Sequence, residues 1–164
     1  MGQWISRTNF VGSFLRPEKL KEARKQFDNG NIGYEELKKV EDESITELII
    51  KTKNLGYNVI TDGEFRRATW HLDFMWGFDG VGNTPTKTGL PFHGEDAMAD
   101  DTYLVGKVGI KGEHPFVEHF KFVKQFEDEN TITKQTIPSP AQFTMPFNKE
   151  HTLKYYGTVK EVWS

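Results

Sequence analysis

The sequence predicts an α/β protein with a parallel sheet, and three observations support that prediction. Residues 59–61 form a short apolar, β-branched stretch directly after a long helical pattern, as expected of a buried strand. Two carboxylates and two arginines follow at residues 62–67, at the strand end where parallel α/β proteins place functional side chains. The opening third, residues 10–62, reads as strand, helix, helix and strand. Strands that alternate with helices are joined by crossover connections, which produce a parallel sheet.

The first third of the chain reads as strand, helix, helix and strand. Residues 10–14 are short and apolar and contain a Gly-Ser pair, so they predict a first strand with a tight turn after it. Pro17 begins a helix to about residue 27, because its missing N–H costs nothing in a first turn. The longest helix covers residues 34–55 and stops at Gly56, and residues 57–62 form the second strand.

The middle of the chain predicts an irregular insertion after the second strand. Residues 68–101 contain an aromatic run at 70–78, followed by repeated glycines and prolines. Long segments without regular structure tend to be functional. Residues 102–110 then predict a bulged strand or a small hairpin.

The last third predicts one more strand between two helices. Residues 115–127 have an apolar face at helical spacing, and residues 131–137 form a strand that ends in the Pro-Ser-Pro turn at 138–140. A final helix begins near Lys149. The apolar residues expected on that helix are Leu153, Tyr156 and Val159.

Roughly three core strands are too few to close a (β/α)8 barrel, which needs eight strands and typically about 250 residues. The chain is therefore either a small open α/β domain or the first part of such a barrel. We expect the second, because the sequence stops soon after a helix without a tail. Residues 1–164 show no linker and predict one domain, incomplete at its C-terminus.

Composition narrows the class of function. Lys and Arg number 21 and Asp and Glu 24, a net charge of −3 that gives no reason to expect nucleic acid or an anionic membrane as partner. The chain has no cysteine, which excludes disulfides and cysteine-containing metal sites within these residues. It also has no signal-peptide pattern and no apolar run of about 18 residues, so we expect a cytoplasmic protein. A homo-oligomer is left open.

Three ordered segments carry a family resemblance: residues 11–17, residues 62–67 followed by 70–74, and residues 136–143. Their order and spacing resemble cobalamin-independent methionine synthase. More narrowly, they are similar to its short single-barrel homologues, the 5-methyltetrahydropteroyltriglutamate–homocysteine methyltransferase-like proteins. The resemblance covers almost the whole chain. It implies the N-terminal portion of a TIM (β/α)8 barrel with an irregular insertion after strand 2.

The resemblance also implies an activity and a set of site residues. The family transfers a methyl group from 5-methyltetrahydrofolate to the thiol of homocysteine, with zinc as the metal cofactor. Gly12 and Ser13 correspond to the turn that holds the amino-acid part of homocysteine, and Glu64 to the glutamate that pairs with its ammonium. The family's zinc ligands are a His-x-Cys pair, a glutamate and a further cysteine, all far downstream. No catalytic or metal-binding residue is therefore expected in this chain.

Five further residues are candidates for the site, each with a structural alternative. They are Asp62, Arg66, Trp70, His71 and Ser139. Arginine at this turn suits a polyglutamate tail but suits a salt bridge equally, and the aromatic run suits a pteridine or simple packing. The histidine suits a structural hydrogen bond, and the serine suits a turn.

The main candidates have alternatives as well. Glu64 suits a structural ion pair with Arg66 or Arg67, and Ser13 suits a helix cap before Pro17. Two other functions remain open. One is a sister enzyme on the same scaffold that uses another thiol or methyl donor, and the other is a truncated, non-catalytic binding protein.

Overall fold

The computed structural model describes residues 10–69, 72–85, 91–92, 95–96, 100–110, 112–139, 148–158 and 161. Helices and strands alternate within these residues, so the fold is mixed α/β, as predicted. The helices are α1 (Glu18–Asp28), α2 (Tyr34–Asn54), α3 (Leu72–Met75), α4 (Pro115–Lys124) and α5 (Lys149–Thr152). The strands are β1 (Val59–Ile60), β2 (Asp79–Pro85), β3 (Pro91–Phe92), β4 (Glu95–Asp96), β5 (Asp100–Gly109) and β6 (Ile132–Thr133).

The chain divides into two compact units. The first comprises Met1–Arg67 and Glu118–Thr136, and it contains α1, α2, β1, β6 and most of α4. The second comprises Ala68–Val117 and Ile137–Ser164, and it contains α3, β2 to β5 and α5. A single domain over residues 1–164 stays a prediction.

Strands β1 and β6 pair parallel, in agreement with the predicted parallel sheet. The backbone N–H of Ile132 donates to the carbonyl of Asn58 at 2.8 Å, and that of Lys134 to the carbonyl of Ile60 at 2.9 Å. Both strands are shorter than predicted, because the regular ladder covers only two residues of each.

Helices α1, α2 and α4 supply apolar side chains that pack in one cluster with Ile60 of β1. Ile45, Ile49, Ile60 and Val123 are each 0% exposed. Burial of one such side chain stabilises the fold by about 1.5–3 kcal/mol. Because several are buried together, this cluster is the core of the first unit. The cluster consists of Leu20, Ala23, Leu37, Ile45, Ile49, Ile60, Phe65 and Val123.

Residues 10–14 do not form the predicted first strand. The N–H of Phe14 donates to the carbonyl of Gly63 at 3.0 Å, but no ladder continues from it among the described residues. The ring of Phe10 instead packs on that of Tyr57, with centroids 4.6 Å apart. Phe10 and Phe14 therefore use their rings in side-chain packing, whereas Val11 is 86% exposed.

The two helices of the first third are confirmed. Pro17, with φ −64°, directly precedes α1, and the helix then runs one residue further than predicted. Helix α2 ends at Asn54, and Gly56 follows with φ +83°, the left-handed conformation that glycine adopts readily after a helix.

The predicted C-terminal helix is much shorter than expected. It begins at Lys149, as predicted, and Asn148 caps it by accepting the N–H of His151 at 3.1 Å. It ends at Thr152, so Leu153 and Tyr156 lie beyond it, and Val159 lies outside the described residues.

The prediction that residues 68–101 are irregular is wrong for α3 and for the strands that follow it. Strands β2 and β5 pair antiparallel, and β3 pairs antiparallel with β4. The predicted bulged strand at residues 102–110 is confirmed, since the β2–β5 register shifts between Asp79 and Val81.

Two glycines that suggested a loop have packing roles in β2. Gly80 lies at the register shift with φ +79°, and a Cβ there would be 2.5 Å from the Lys107 carbonyl oxygen. Gly82 lies against the Tyr103 ring, where a Cβ would be 2.6 Å from Cζ. Glycine in a strand marks bulges and close approaches as well as turns, which explains the wrong prediction.

None of the described helices is long and apolar enough to cross a membrane.

Candidate functional site

The turn after β1, residues 62–67, has a constrained and partly strained backbone. Asp62 is 1% exposed, and its Oδ1 accepts the N–H of Glu64 at 2.9 Å. Gly63 and Glu64 both adopt the left-handed region, with φ +65° and +59°. A Cβ on Gly63 would lie 2.4 Å from Cδ2 of Leu48, so glycine fits there for space as well as conformation. Glu64 has a Cβ, and this conformation costs such a residue about 1–2 kcal/mol.

The Glu64 side chain is buried and held on one side only. Its Oε1 accepts the Thr136 hydroxyl at 2.9 Å and lies 3.4 Å from Nη1 of Arg67. Its Oε2 accepts no hydrogen bond from the residues that the structure describes. A carboxylate oxygen of this kind can accept a hydrogen bond from a ligand.

Arg67 and Thr136 complete this arrangement. Arg67 is 2% exposed, and its Nη2 donates to the carbonyl and hydroxyl oxygens of Thr136 at 2.5 and 3.0 Å. The Thr136 hydroxyl therefore accepts from the arginine and donates to Glu64, which fixes the direction of its proton. The ion-pair alternative for Glu64 is thus realised with Arg67, whereas Arg66 pairs with carboxylates of α2.

The segment before α1 is attached to the same turn. Phe14 N–H donates to the carbonyl of Gly63, and Nη2 of Arg16 donates to the carbonyls of Glu64 and Arg67 at 3.1 and 2.5 Å. These contacts bring two of the three resemblance segments together, although 48 residues separate Arg16 from Glu64 in sequence.

Gly12 and Ser13 lie exposed in that attached segment. Gly12 has φ +91°, and a Cβ added to it would meet no atom within 4 Å beyond its chain neighbours, so its role is conformational. The hydroxyl of Ser13 donates to the carbonyl of Phe14 at 2.9 Å. Helix α1 begins after Pro17 without a side-chain cap, so Ser13 does not serve as the cap of this helix.

Arg66 points its charge toward α2. Its guanidinium contacts Glu41 at 3.1 Å and Asp42, and it lies 5.0 Å from the centre of the Phe122 ring. Its side chain is 5% exposed. These contacts favour the salt-bridged alternative, and ligand contact by Arg66 stays a prediction.

His119, on α4, belongs to the first unit and experiences the charges of the turn. Its burial, reinforced by the positive charge of Arg66, lowers the pKa of His119 from 6.5 to about 4, against opposing contributions from Asp62 and Glu118. The imidazole is therefore neutral at physiological pH. A neutral ring adds no further positive charge beside the two turn arginines.

The contacts described above do not test the remaining three sequence candidates. Trp70 and His71 lie outside the described residues, so their roles stay predictions. Ser139 is exposed and belongs to the second unit. Its role also stays a prediction.

Arg16 and Thr136 are the contact residues that sequence reasoning missed. Both lie inside the segments that carry the family resemblance, yet neither was singled out. An arginine just before a helix and a threonine at a strand end are ordinary in sequence, so only the resemblance could have indicated them.

Comparison with known proteins agrees with the first two resemblance segments, at residues 11–17 and 62–74. The family model described as "Cobalamin-independent synthase, Catalytic domain" matches residues 6–83. The chain is 39% identical over 134 residues to Uncharacterized protein YxjG of Bacillus subtilis (strain 168), covering 82% of this chain and 35% of that protein. It is 38% identical to YxjH of the same organism over an equal length.

A solved structure shows the same similarity. It comes from Listeria monocytogenes, and its description provisionally names a vitamin-B12 independent methionine synthase. The TM-score is 0.66 at 38% identity, over 82% of this chain and 36% of that chain. This chain therefore spans about a third of the length of these relatives. Together with the matched family model, these similarities show that the chain belongs, as a partial sequence, to the cobalamin-independent synthase-like family.

Proposed function

We propose that this chain is the N-terminal, acceptor-binding part of a TIM-barrel methyltransferase that transfers a methyl group to the thiol of homocysteine. The observation that carries the proposal is Glu64, a buried carboxylate in a strained backbone conformation with Oε2 unused among the described contacts. Strain of this kind persists only where the surroundings impose it, and it is concentrated at functional sites.

The described residues support the proposal that this part of the chain holds an amino acid. The Glu64 carboxylate accepts hydrogen bonds from the ammonium of homocysteine, and backbone N–H groups of the turn at Gly12 and Ser13 donate to its carboxylate. Arg16 and Phe14 keep that turn beside Glu64 through the contacts described above. Fixing both charged groups of the amino acid determines where its sulfur lies, which is the orientation that methyl transfer requires.

The zinc that the family implies does not fit this chain. The sequence contains no cysteine, and among the described residues no three His, Cys, Asp or Glu side chains are grouped to hold a metal. We therefore assign the chain acceptor binding, and residues outside it supply the metal ligands. The proposal also includes 5-methyltetrahydrofolate as the methyl donor and a cytoplasmic location.

The test is the affinity of the intact protein for homocysteine, measured by titration calorimetry. Glu64→Gln removes the negative charge but keeps the size of the side chain. We expect binding to weaken about 10- to 100-fold, the worth of a hydrogen bond between charged groups. The control is Glu47→Gln, the same change at a residue that is 66% exposed and pairs only with Lys19 among the described residues. Unchanged affinity in Glu64→Gln would refute the proposal.

A second candidate function is binding without catalysis. The absence of cysteine from these 164 residues favours it. Both candidates predict homocysteine affinity. They differ in that a non-catalytic binding protein, purified intact, would show neither bound zinc nor methyl transfer.

A further inference from the structure

A buried carboxylate on α2 links two arginines behind the turn that carries Glu64. Glu41 is 4% exposed. Its Oε1 accepts a hydrogen bond from Arg24 at 2.7 Å, and its Oε2 accepts one from Arg66 at 3.1 Å. Both oxygens of one buried side chain are therefore used to hold positively charged groups.

The two arginines connect Glu41 to the turn at consecutive residues. Nη2 of Arg24 also donates to the carbonyl of Phe65 at 2.5 Å, and Arg66 is itself the next residue of the turn. Glu41 thus fixes the backbone immediately after Glu64 at two points, the carbonyl of Phe65 and the side chain of Arg66. Hydrogen bonds between charged groups are short and directional, so this link restricts the turn more than a neutral contact would.

The turn is held from its other side as well. Arg16 donates to the carbonyls of Glu64 and Arg67. Together, Arg16 and Arg24 donate to three backbone carbonyls of residues 64–67. Of these two arginines, Arg24 is held in place by Glu41. Such over-determination is what a left-handed, non-glycine residue needs in order to persist.

We propose that Glu41 is a positioning residue that acts through Arg24 and Arg66 to hold Glu64 in its left-handed, ligand-accepting conformation. The identity of the ligand, homocysteine, rests on the proposed function. The role of Glu41 in holding the turn rests on the contacts described above. Glu41 makes no contact with the ligand-facing oxygen of Glu64 in the described structure, so its effect on binding is indirect.

The charge state of Glu41 is consistent with this role. Burial raises the pKa of Glu41 above its ordinary value of 4.5, and the charges of Arg24 and Arg66 oppose that rise. Keeping a carboxylate in such surroundings is costly unless both partners stay in place.

The first test is a double-mutant cycle on homocysteine affinity in the intact protein. We expect Glu41→Gln to weaken binding about tenfold in the wild-type background, the worth of one displaced charged hydrogen bond. In a Glu64→Gln background the same change should have little further effect, because the residue through which it acts is already altered. Glu47→Gln is the control in both backgrounds. Wild-type affinity in Glu41→Gln, or full additivity with Glu64→Gln, overturns the inference.

The second test needs no ligand and separates this inference from the proposed function. Glycine adopts φ +59° readily, whereas alanine is strained there. Glu64→Gly should therefore unfold at a higher urea concentration than Glu64→Ala. We expect this difference in midpoint to fall by about half or more when Glu41 is changed to Gln, because the released turn can relax. An unchanged difference overturns the role of Glu41 even if homocysteine binds.

Arg24→Lys serves as the second variant if Glu41→Gln does not fold. A lysine keeps the charge but lacks the planar fork that reaches Glu41 and the Phe65 carbonyl together. In this background we expect the same decrease in the difference between the urea midpoints of Glu64→Gly and Glu64→Ala. A difference as large as in the wild-type background contradicts the inference.

Discussion

The first unit buries charged side chains, whereas the second buries mostly apolar and aromatic ones. Glu41, Asp62, Glu64 and Arg67 are all at most 7% exposed, and every buried acidic or basic side chain of the described residues other than histidine belongs to the first unit. Among the second-unit residues whose burial is described, the buried set is apolar apart from a histidine and threonines. It comprises Leu72, Met75, Thr102, Leu104, His114, Phe116, Pro138 and Thr152.

The histidine of the second unit shows how differently polar groups are used there. Nε2 of His114 lies 2.9 Å from the carbonyl of Phe74, and its Nδ1 accepts the N–H of Phe116 at 3.1 Å. Both ring nitrogens serve the backbone, and the ring packs among the aromatic side chains of Phe74 and Phe78. The tautomer with the proton on Nε2 satisfies both contacts.

This difference favours the first unit as the location of the proposed site. Burying charge costs free energy unless each group is paired, so a fold carries buried charge where chemistry needs it or where a network holds it. A network holds the charges at the turn of the first unit, and the proposed function adds a ligand there. In the described residues of the second unit, hairpin pairing and close glycine contacts stabilise the structure.

The largest effect is expected from filling a tight backbone contact in the second unit. Gly80→Ala places a Cβ 2.5 Å from the Lys107 carbonyl and imposes a left-handed φ on alanine. We expect a loss of about 2–4 kcal/mol in the free energy of unfolding, measured by chemical denaturation. Gly106→Ala is the matched control, because a Cβ there would meet no atom within 4 Å. Equal losses for the two variants would show that close packing does not hold this hairpin.

The next effect concerns pH and the charged surroundings of the first unit. The pKa of His119 is lowered in the folded protein from 6.5 to about 4, so its neutral form stabilises the fold fully above pH 6.5. This contribution is lost as the pH falls from 6.5 toward 4, by up to about 3 kcal/mol. His119→Gln should flatten the decline in unfolding free energy over that range. A variant with the wild-type slope would exclude His119 as its source.

The smallest effect isolates the strain at Glu64. Glu64→Gly and Glu64→Ala both remove the carboxylate, so their difference reports the backbone alone. We expect the glycine variant to be more stable by about 1–2 kcal/mol in denaturant unfolding. The reverse order, which helix or strand interiors show, would mean that the left-handed conformation is not maintained in solution.

The sequence predicted the helices of the first third well because their signals are local. The apolar stripe of α2, its final lysines and Gly56 lie within one continuous segment, and the structure has that helix within a residue of its predicted end. The sequence also predicted a parallel sheet, but from a crossover between strands at residues 10–14 and 57–62, whereas the structure pairs β1 with β6. The strand predicted at residues 10–14 failed, because an apolar run that packs its rings has the same local appearance as a strand.

Much of the candidate site was also apparent in the residues. A glycine between two acids at a strand end, followed by arginines, indicated the turn at 62–67 from sequence alone. The partners of those charges were not apparent. Arg66 pairs with Asp42 of α2, Arg67 with Thr136, and Arg16 with the carbonyl of Arg67. The partners in these three contacts are 24, 69 and 51 residues apart in sequence.

By itself, the sequence determined the α/β class, the two long helices and the turn that concentrates charge, since periodicity and chain-breaking residues act over a few neighbours. Only the tertiary structure decided which arginine meets Glu64, that its backbone is left-handed, and that glycines in β2 mark a bulge and close contacts. Those outcomes depend on atoms brought together from distant parts of the chain. Their energies are set by burial and pairing, which no local pattern records.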